Sequence, residues 1–349
     1  FGPAYAQRLQ VSKGVFFHDG RVFACIRGLR LPDLSLEYEG FVMAYIYYLT
    51  HIHLDFGAAS MLPSECERIG MRRPLIVTDA GVRAAGVLAQ AQQALGALPH
   101  AVFDGTPSNP TEAAVRNAKA VFEAQGCDGL IAVGGGSSID LAKGLAIAAT
   151  HEGPLTRYAT IEGGSGLITE RVLPLIAVPT TAGTGSEVAR GAIVIVDDGR
   201  KLGFHSWHLL PKSAVLDPLL TLGLPSGLTA ATGMDAIAHC METFMSAAIN
   251  PPADGIALDG LSRAWRHIEV ATRDGADRQA TSREPRAEIL RQVGHGLEVA
   301  DPALVDPVHE LPRPKGLRAQ PGDPRAAQGR GPPAGLPLHH RPVRGRGRR

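Results

Sequence analysis

An α/β protein built on a parallel sheet is what this sequence predicts, and three observations predict it. Short apolar runs that suit buried strands alternate with helix-length segments from Pro74 to Ala149. One of the turns between them is a run of three glycines, Gly134, Gly135 and Gly136, followed by Ser137 and Ser138. The composition is globular, with 44% hydrophobic and 20% charged residues and a net charge of +1 over 349 residues. Strands that alternate with helices of this length imply a parallel sheet with crossover helices. A chain this long suits two domains.

The same composition excludes several function classes. A near-neutral charge gives no pull toward nucleic acid or an anionic membrane. No apolar run approaches the roughly 18 residues that a membrane-spanning helix needs. Cys25, Cys66, Cys127 and Cys240 are scattered with no C-x-x-C pair, which points to a reducing, cytoplasmic setting without a disulfide framework.

The two ends depart from this average. Residues 1–42 show no clear period and are expected to be a non-native or disordered extension, with Met43 resembling a true start. The last aromatic residue is Trp265, and from Leu311 to Arg349 Pro, Gly and Arg make up 24 of 39 residues. Such a segment cannot bury enough apolar surface to offset its chain entropy. Residues 281–349 are therefore expected to be a disordered or aberrant tail, the latter from a shifted reading of GC-rich coding sequence. A basic nucleic-acid tail would need the lysines and interleaved aromatics that are missing.

In chain order, AYIYYLTHIHLDFG is β-rich and AASMLPSECERIG reads as a helix ending at Gly70. Pro74 to Thr78 is a buried strand closed by Asp79, and Val82 to Leu98 an Ala/Leu-periodic helix. HAVFDGTPSNP gives a second strand and a turn. Thr111 caps a helix that Gly126 ends. Further strands are expected at Leu175–Val178 and Ala192–Val196, and a helix from Ser226 onward.

Three stretches carry chemistry. Strand, glycine turn and helix at Leu130–Ala149 make an anion site, because glycine allows close approach and a helix start offers free amides and a positive dipole end. Ser137 and Ser138 are expected to open and cap that helix. The spacing is neither G-x-G-x-x-G nor a P-loop, so the turn alone indicates a phosphate and not which nucleotide. Asp79, at a strand end, suits a ribose diol and equally suits the N-cap of the next helix. PTTAGTGSE, from Pro179 to Glu187, sets Thr180, Thr181 and Thr184 among glycines between two strands. It can wrap a polar ligand, or be a plain hairpin loop. Asp235 and His239 lie four apart on one expected helix face. They can share a divalent metal, or simply bond to each other.

Taken together, LIVTDAG, GGGSSIDLAK, PTTAGTGSE and GMDAIAHCME, in that order, resemble the iron-containing (group III) alcohol dehydrogenase family over about Met43 to Asp277. The resemblance implies a dinucleotide-binding α/β domain at residues 43–225 and the start of an all-helical metal domain at 226–280. It implies that Gly135, Gly136 and Ser137 contact the cofactor diphosphate, and that Asp79 meets the adenosine ribose and favours NAD over NADP. Thr180, Thr181 and Thr184 would line the cofactor, and Lys201 would approach its nicotinamide-side ribose. Asp235 and His239 would be two of four ligands to iron, or to zinc, which polarises the oxygen of a small alcohol or aldehyde during hydride transfer. A homodimer or higher oligomer is expected. A maleylacetate reductase-like or polyol dehydrogenase activity is the alternative on this scaffold, and a noncatalytic NAD-binding remnant the alternative of another class.

The pattern breaks downstream. The family takes two more histidines from H-x-x-x-H-P-L-G and a later His-Gly. Here VHELPRPKGL places His309 in the ligand position and Arg313 where the second His belongs. Alternatively, Asp277–Glu284 is a junction beyond which the helical domain is missing or out of frame. With two ligands in place, the expectation is a chain that binds NAD but turns over little substrate.

Overall fold

A computed structural model describes residues 12–18, 21–27, 50–246 and 250–274. Within the stretch expected to be an extension, β1 (Ser12–His18) and β2 (Arg21–Arg27) form an antiparallel hairpin. His309, Arg313 and the expected junction lie outside the described residues.

The parallel sheet is present. Its strands are β3 (His51–Leu54), β4 (Pro74–Val77), β5 (Ala101–Phe103), β6 (Gly129–Gly134), β7 (Leu175–Pro179) and β10 (Ser213–Leu216). They lie in the order β3-β10-β7-β6-β4-β5, every neighbouring pair parallel. Side chains alternate between faces. Leu75, Val77, Leu130, Ala132, Leu175 and Ala177 pack on one side with α4 (Glu112–Ala124) and α5 (Gly136–Ala148). Ile76, Ile131, Val133, Ile176, Val178 and Val215 pack on the other with α1 (Leu62–Arg68) and α3 (Val87–Leu95). Burial on both faces is why the strands read as continuous apolar runs.

Local expectations were met where one residue decides the turn. Thr111 Oγ1 accepts from the Ala114 amide at 3.2 Å and caps α4, and Gly126 follows that helix with φ 58°. The single helix expected over Val82–Leu98 is instead α2 (Ala80–Ala84) and α3, parted by Gly86 at φ 76°. Glycine breaks the helix there because no other residue takes that conformation without strain. The hairpin alternative for Pro179–Glu187 fails. β7 belongs to the large sheet, whereas β8 (Gly191–Ile195) pairs antiparallel with β9 (Lys201–His205) in a sheet of its own.

Two helices follow the sheet. α6 (Ser226–Met245) and α7 (Pro251–Arg273) bury Ala236, Ile237, Cys240, Leu261 and Ala264 against each other. At the start of β10, far from the ligand end of the sheet, Glu65 is buried between Ser213, Arg68 and His53. Burial alone would raise its carboxyl, but those three contacts outweigh it and hold the pKa at about 2.

Candidate functional site

The site forms where β4, β6 and β7 end side by side. Gly134 pairs with Pro179, and the Thr180 amide donates to the Gly134 carbonyl at 3.0 Å. Chain turns after adjacent parallel strands are thereby stacked into one edge, the usual place for a ligand on such a sheet.

The glycines are there for space. A Cβ on Gly135 would lie 3.2 Å from Thr181 Oγ1, and one on Gly136 2.7 Å from Thr184 Oγ1 and Cγ2. Gly134 has φ 156°, and a Cβ there would meet Ser138, at 2.8 Å from its own Cβ. The helix start is a residue earlier than the serines suggested. Gly135 is the N-cap of α5, without any side-chain cap. Ser137 Oγ donates to the Ser108 carbonyl at 2.5 Å, and Ser138 Oγ to Asp79 Oδ2 at 3.4 Å. Both hydroxyls are thus turned to neighbouring turns; the Ser138 amide donates to the Gly135 carbonyl at 3.1 Å, and the Gly136 and Ser137 amides are left for an anion. Glycines that let the threonine loop close on a helix start with two unbonded amides fit a dinucleotide diphosphate.

Asp79 keeps its local role. It is the N-cap of α2, accepting from the Val82 amide at 2.9 Å, and it also touches the glycine-turn helix through Ser138. Both are compatible with a ribose, since a carboxylate has lone pairs to spare.

A cleft of about 510 Å³ opens beside the turn. Of the residues expected at the site, Gly136, Ser137, Thr184, Lys201, Asp235 and His239 line it. Lys201 Nζ donates to Asn109 Oδ1 at 3.2 Å on its rim. Gly183 brings the threonine loop against α6: a Cβ on it would lie 2.9 Å from the Thr232 carbonyl and 3.3 Å from Asp235 Oδ2. Asp79, Gly135, Thr180 and Thr181, at the strand ends, do not line the cleft, and Thr180 is buried.

Asp235 and His239 do share a face, with Oδ1 and Nε2 3.5 Å apart, too long for a good hydrogen bond. On its other side His239 Nδ1 lies 3.7 Å from Glu242 Oε2. A structural metal shell needs four donors. Among the described residues no group of three or more His, Cys, Asp or Glu can hold a metal ion. The described residues do not complete a metal site.

Sequence reasoning missed a set of charges in and behind the cleft wall. Lys143, on α5, is fully buried, and its Nζ donates to the carbonyls of Ser186, Ala189 and Gly191 at 2.8, 2.5 and 2.7 Å. One turn earlier Asp140 Oδ2 accepts from the Ile193 amide at 3.1 Å, while its buried Oδ1 has no hydrogen-bond partner among the described residues. Burial raises the Asp140 carboxyl, partly offset by Lys143 and the Ile193 amide. A signal for Lys143 was available: Ile139, Leu141, Ala142, Leu145, Ala146 and Ile147 around it are all apolar.

Glu187 is buried as well, and burial pushes its carboxyl from 4.5 up to about 7, against the pull of its own amide and of Lys143. A raised folded-state pKa means the folded chain binds more protons than the unfolded chain between those two values. That contribution to stability is complete below about pH 4.5 and is lost as pH rises through about 7. The loss is up to about 1.4 kcal/mol per pH unit. Urea unfolding across this window is expected to show Glu187→Gln relatively more stable than the parent as pH rises. Parallel pH profiles for the two chains would refute this.

Comparison with known proteins agrees with the geometry. The pattern described as "Iron-containing alcohol dehydrogenase" matches residues 50–218. That described as "Fe-containing alcohol dehydrogenase family, C-terminal" matches residues 229–298, and so runs past the junction expected near Asp277. A 4-hydroxybutyrate dehydrogenase of Cupriavidus necator is 77% identical over 238 residues, covering 68% of this chain and 62% of that protein. A 1,3-propanediol dehydrogenase of Klebsiella pneumoniae is 39% identical, covering 67% of this chain and 60% of that protein. The chain thus spans about three fifths of the length of these curated relatives. Among solved structures, a sulfoacetaldehyde reductase from Bifidobacterium kashiwanohense in complex with NAD+ superposes with a TM-score of 0.66 at 26% identity. That match covers 74% of this chain and 67% of the other. With the motifs in order, the parallel sheet beneath them and these matches over two thirds of its length, the chain belongs to the iron-containing alcohol dehydrogenase family.

Proposed function

We propose that this chain carries the NAD-binding half, and the first part of the metal-binding half, of a dehydrogenase that interconverts a small alcohol or hydroxy acid and its aldehyde. The observation that carries the reading is the single cleft lined by Gly136, Ser137, Thr184 and Lys201 together with Asp235 and His239. NAD, when bound, supplies the hydride acceptor. The chain's own part is to bind and orient. The first-turn amides of α5 hold the diphosphate. Asp79 takes the adenosine ribose and its charge disfavours a 2′-phosphate. Thr180, Thr181 and Thr184 line the cofactor, and Lys201 reaches the nicotinamide-side ribose. Asp140 Oδ1, a buried acceptor on the cleft wall, suits an N–H or O–H of the ligand.

Asp235 and His239 would contribute two donors to iron or zinc. The 77% identical relative is a 4-hydroxybutyrate dehydrogenase, which favours a short ω-hydroxy acid as substrate. The half-supplied donor set favours a second reading, an NAD-binding chain with weak turnover. A homo-oligomer and a cytoplasmic setting belong to the proposal. Met234, Met245, Trp265 and Val270 expose apolar surface on α6 and α7 for a second copy to cover. Cys66, Cys127 and Cys240 are free thiols, as a reducing compartment allows. No helix among the described residues is long and apolar enough to cross a membrane.

The test measures three things on the purified chain: thermal stabilisation by NAD, bound iron and zinc, and NADH oxidation with succinic semialdehyde and short aldehydes. Stabilisation by NAD with well under one metal per chain and slow turnover is expected. Stoichiometric metal with rapid turnover would discard the impaired reading, and no response to NAD would discard both.

A further inference from the structure

Arg190 lines the same cleft as Gly136, Thr184, Asp235 and His239. We propose that Arg190 is the specificity-determining residue of this cleft and anchors the terminal carboxylate of an ω-hydroxy acid or its semialdehyde. The proposal rests on the reading of the cleft as an NAD and hydroxy-compound site.

Arg190 is held in place from both sides. Lys143 Nζ binds the carbonyl before it, Ala189, at 2.5 Å and the one after it, Gly191, at 2.7 Å. Its own carbonyl accepts from the Ser206 amide at 3.1 Å. Its guanidinium lies over the Trp207 ring, 4.7 Å from the centroid. A surface arginine that only solubilises the chain would not be tethered at the backbone and stacked at the head. Stacking fixes the guanidinium plane, and a fixed plane loses less entropy when it binds.

A planar guanidinium presents paired N–H donors along its edges, matched to the two oxygens of a carboxylate. A diol or a simple alcohol offers no anion for that fork. Beside Arg190, Gly191 leaves room for an imidazole: a Cβ on Gly191 would lie 2.8 Å from His205 Cδ2 and 2.9 Å from Nε2. That ring is oriented by Thr160 Oγ1, 2.8 Å from Nδ1, and lines the same cleft. Arg190 and Lys201 therefore place two positive charges on the cleft wall, with the His205 ring as a polar group beside them, suited to the charged end of a hydroxy acid.

The experiment uses the full chain with saturating NAD. Binding of labelled 4-hydroxybutyrate and of uncharged butane-1,4-diol is measured by equilibrium dialysis for the parent, Arg190→Gln and Arg190→Lys. Thermal stabilisation by NAD is recorded for each. The parent is expected to prefer the hydroxy acid. Arg190→Gln should bind it about 10- to 100-fold more weakly, the loss expected for a charge-assisted bidentate contact. Its diol binding should stay within about twofold of the parent and its NAD stabilisation should persist, while Arg190→Lys, a charge without the fork, should fall between. Unchanged hydroxy-acid affinity in Arg190→Gln, or no preference in the parent, overturns the assignment while NAD stabilisation persists. Absence of NAD stabilisation in the parent overturns the underlying reading and this one with it.

Discussion

Lys143→Met is expected to destabilise the chain by at least about 3 kcal/mol, on the scale of removing one member of a buried charged network. Methionine fills most of the volume, so packing is not the cause. The cause is that three carbonyls, those of Ser186, Ala189 and Gly191, lose their shared donor at once. Each buried polar group left unsatisfied costs about 1–3 kcal/mol. Returning the ammonium to water in the unfolded reference offsets part of this. Water entering from the cleft offsets more, because Asp140 on the same helix reaches the cleft wall. Loss of the positive charge also removes an influence that lowers the carboxyl pKa of both Asp140 and Glu187, so both move further up. Urea unfolding of the two chains measures the difference. A midpoint within experimental error of the parent would show that the clamp contributes nothing. The same variant frees the backbone around Arg190, so it should weaken hydroxy-acid binding even where it remains folded.

How much of this was legible in the sequence depends on whether the deciding contact is local. The parallel strands were readable because a strand covered on both faces must be apolar throughout, as Leu75–Val77 and Leu130–Val133 are. Thr111 and Gly126 were readable because a cap is settled within four residues. Asp235 and His239 were readable as a pair because helical spacing alone puts them on one face. By contrast, Ser137 and Ser138 looked like caps, yet their hydroxyls go to Ser108 and Asp79, partners 29 and 59 positions away. Lys143 reads as a helix cation, but its partners lie 43 to 48 positions downstream. Nothing local reveals that the loop before β8 folds over it. Arg190 was passed over for the same reason. Its role depends on Trp207 and Lys143, which only the folded chain brings to it.

Gly136→Ala is expected to weaken NAD binding by about 100-fold or more while leaving a folded chain. The added methyl would sit 2.7 Å from both Thr184 Cγ2 and Thr184 Oγ1, closer than any real contact of that kind. A threonine is short and branched, so it cannot swing its far end away as a lysine could. Either Thr184 leaves the cleft wall or the start of α5 shifts, and both move groups away from the diphosphate. Amide hydrogen bonds to an anion contribute about 1.5–3 kcal/mol each. Losing two therefore weakens NAD by about 100-fold or more. Stability responds differently, because alanine is the better helix former by up to about 1 kcal/mol, which offsets part of the clash. Gly255→Ala in α7 is the control, since nothing lies within 4 Å of its added Cβ and it should keep full NAD stabilisation. Thermal shift against NAD concentration reads both variants, as a ligand that binds only the folded state raises the melting point with concentration. A Gly136→Ala chain that still responds to NAD at parent concentrations would mean that the cofactor diphosphate does not lie on this turn.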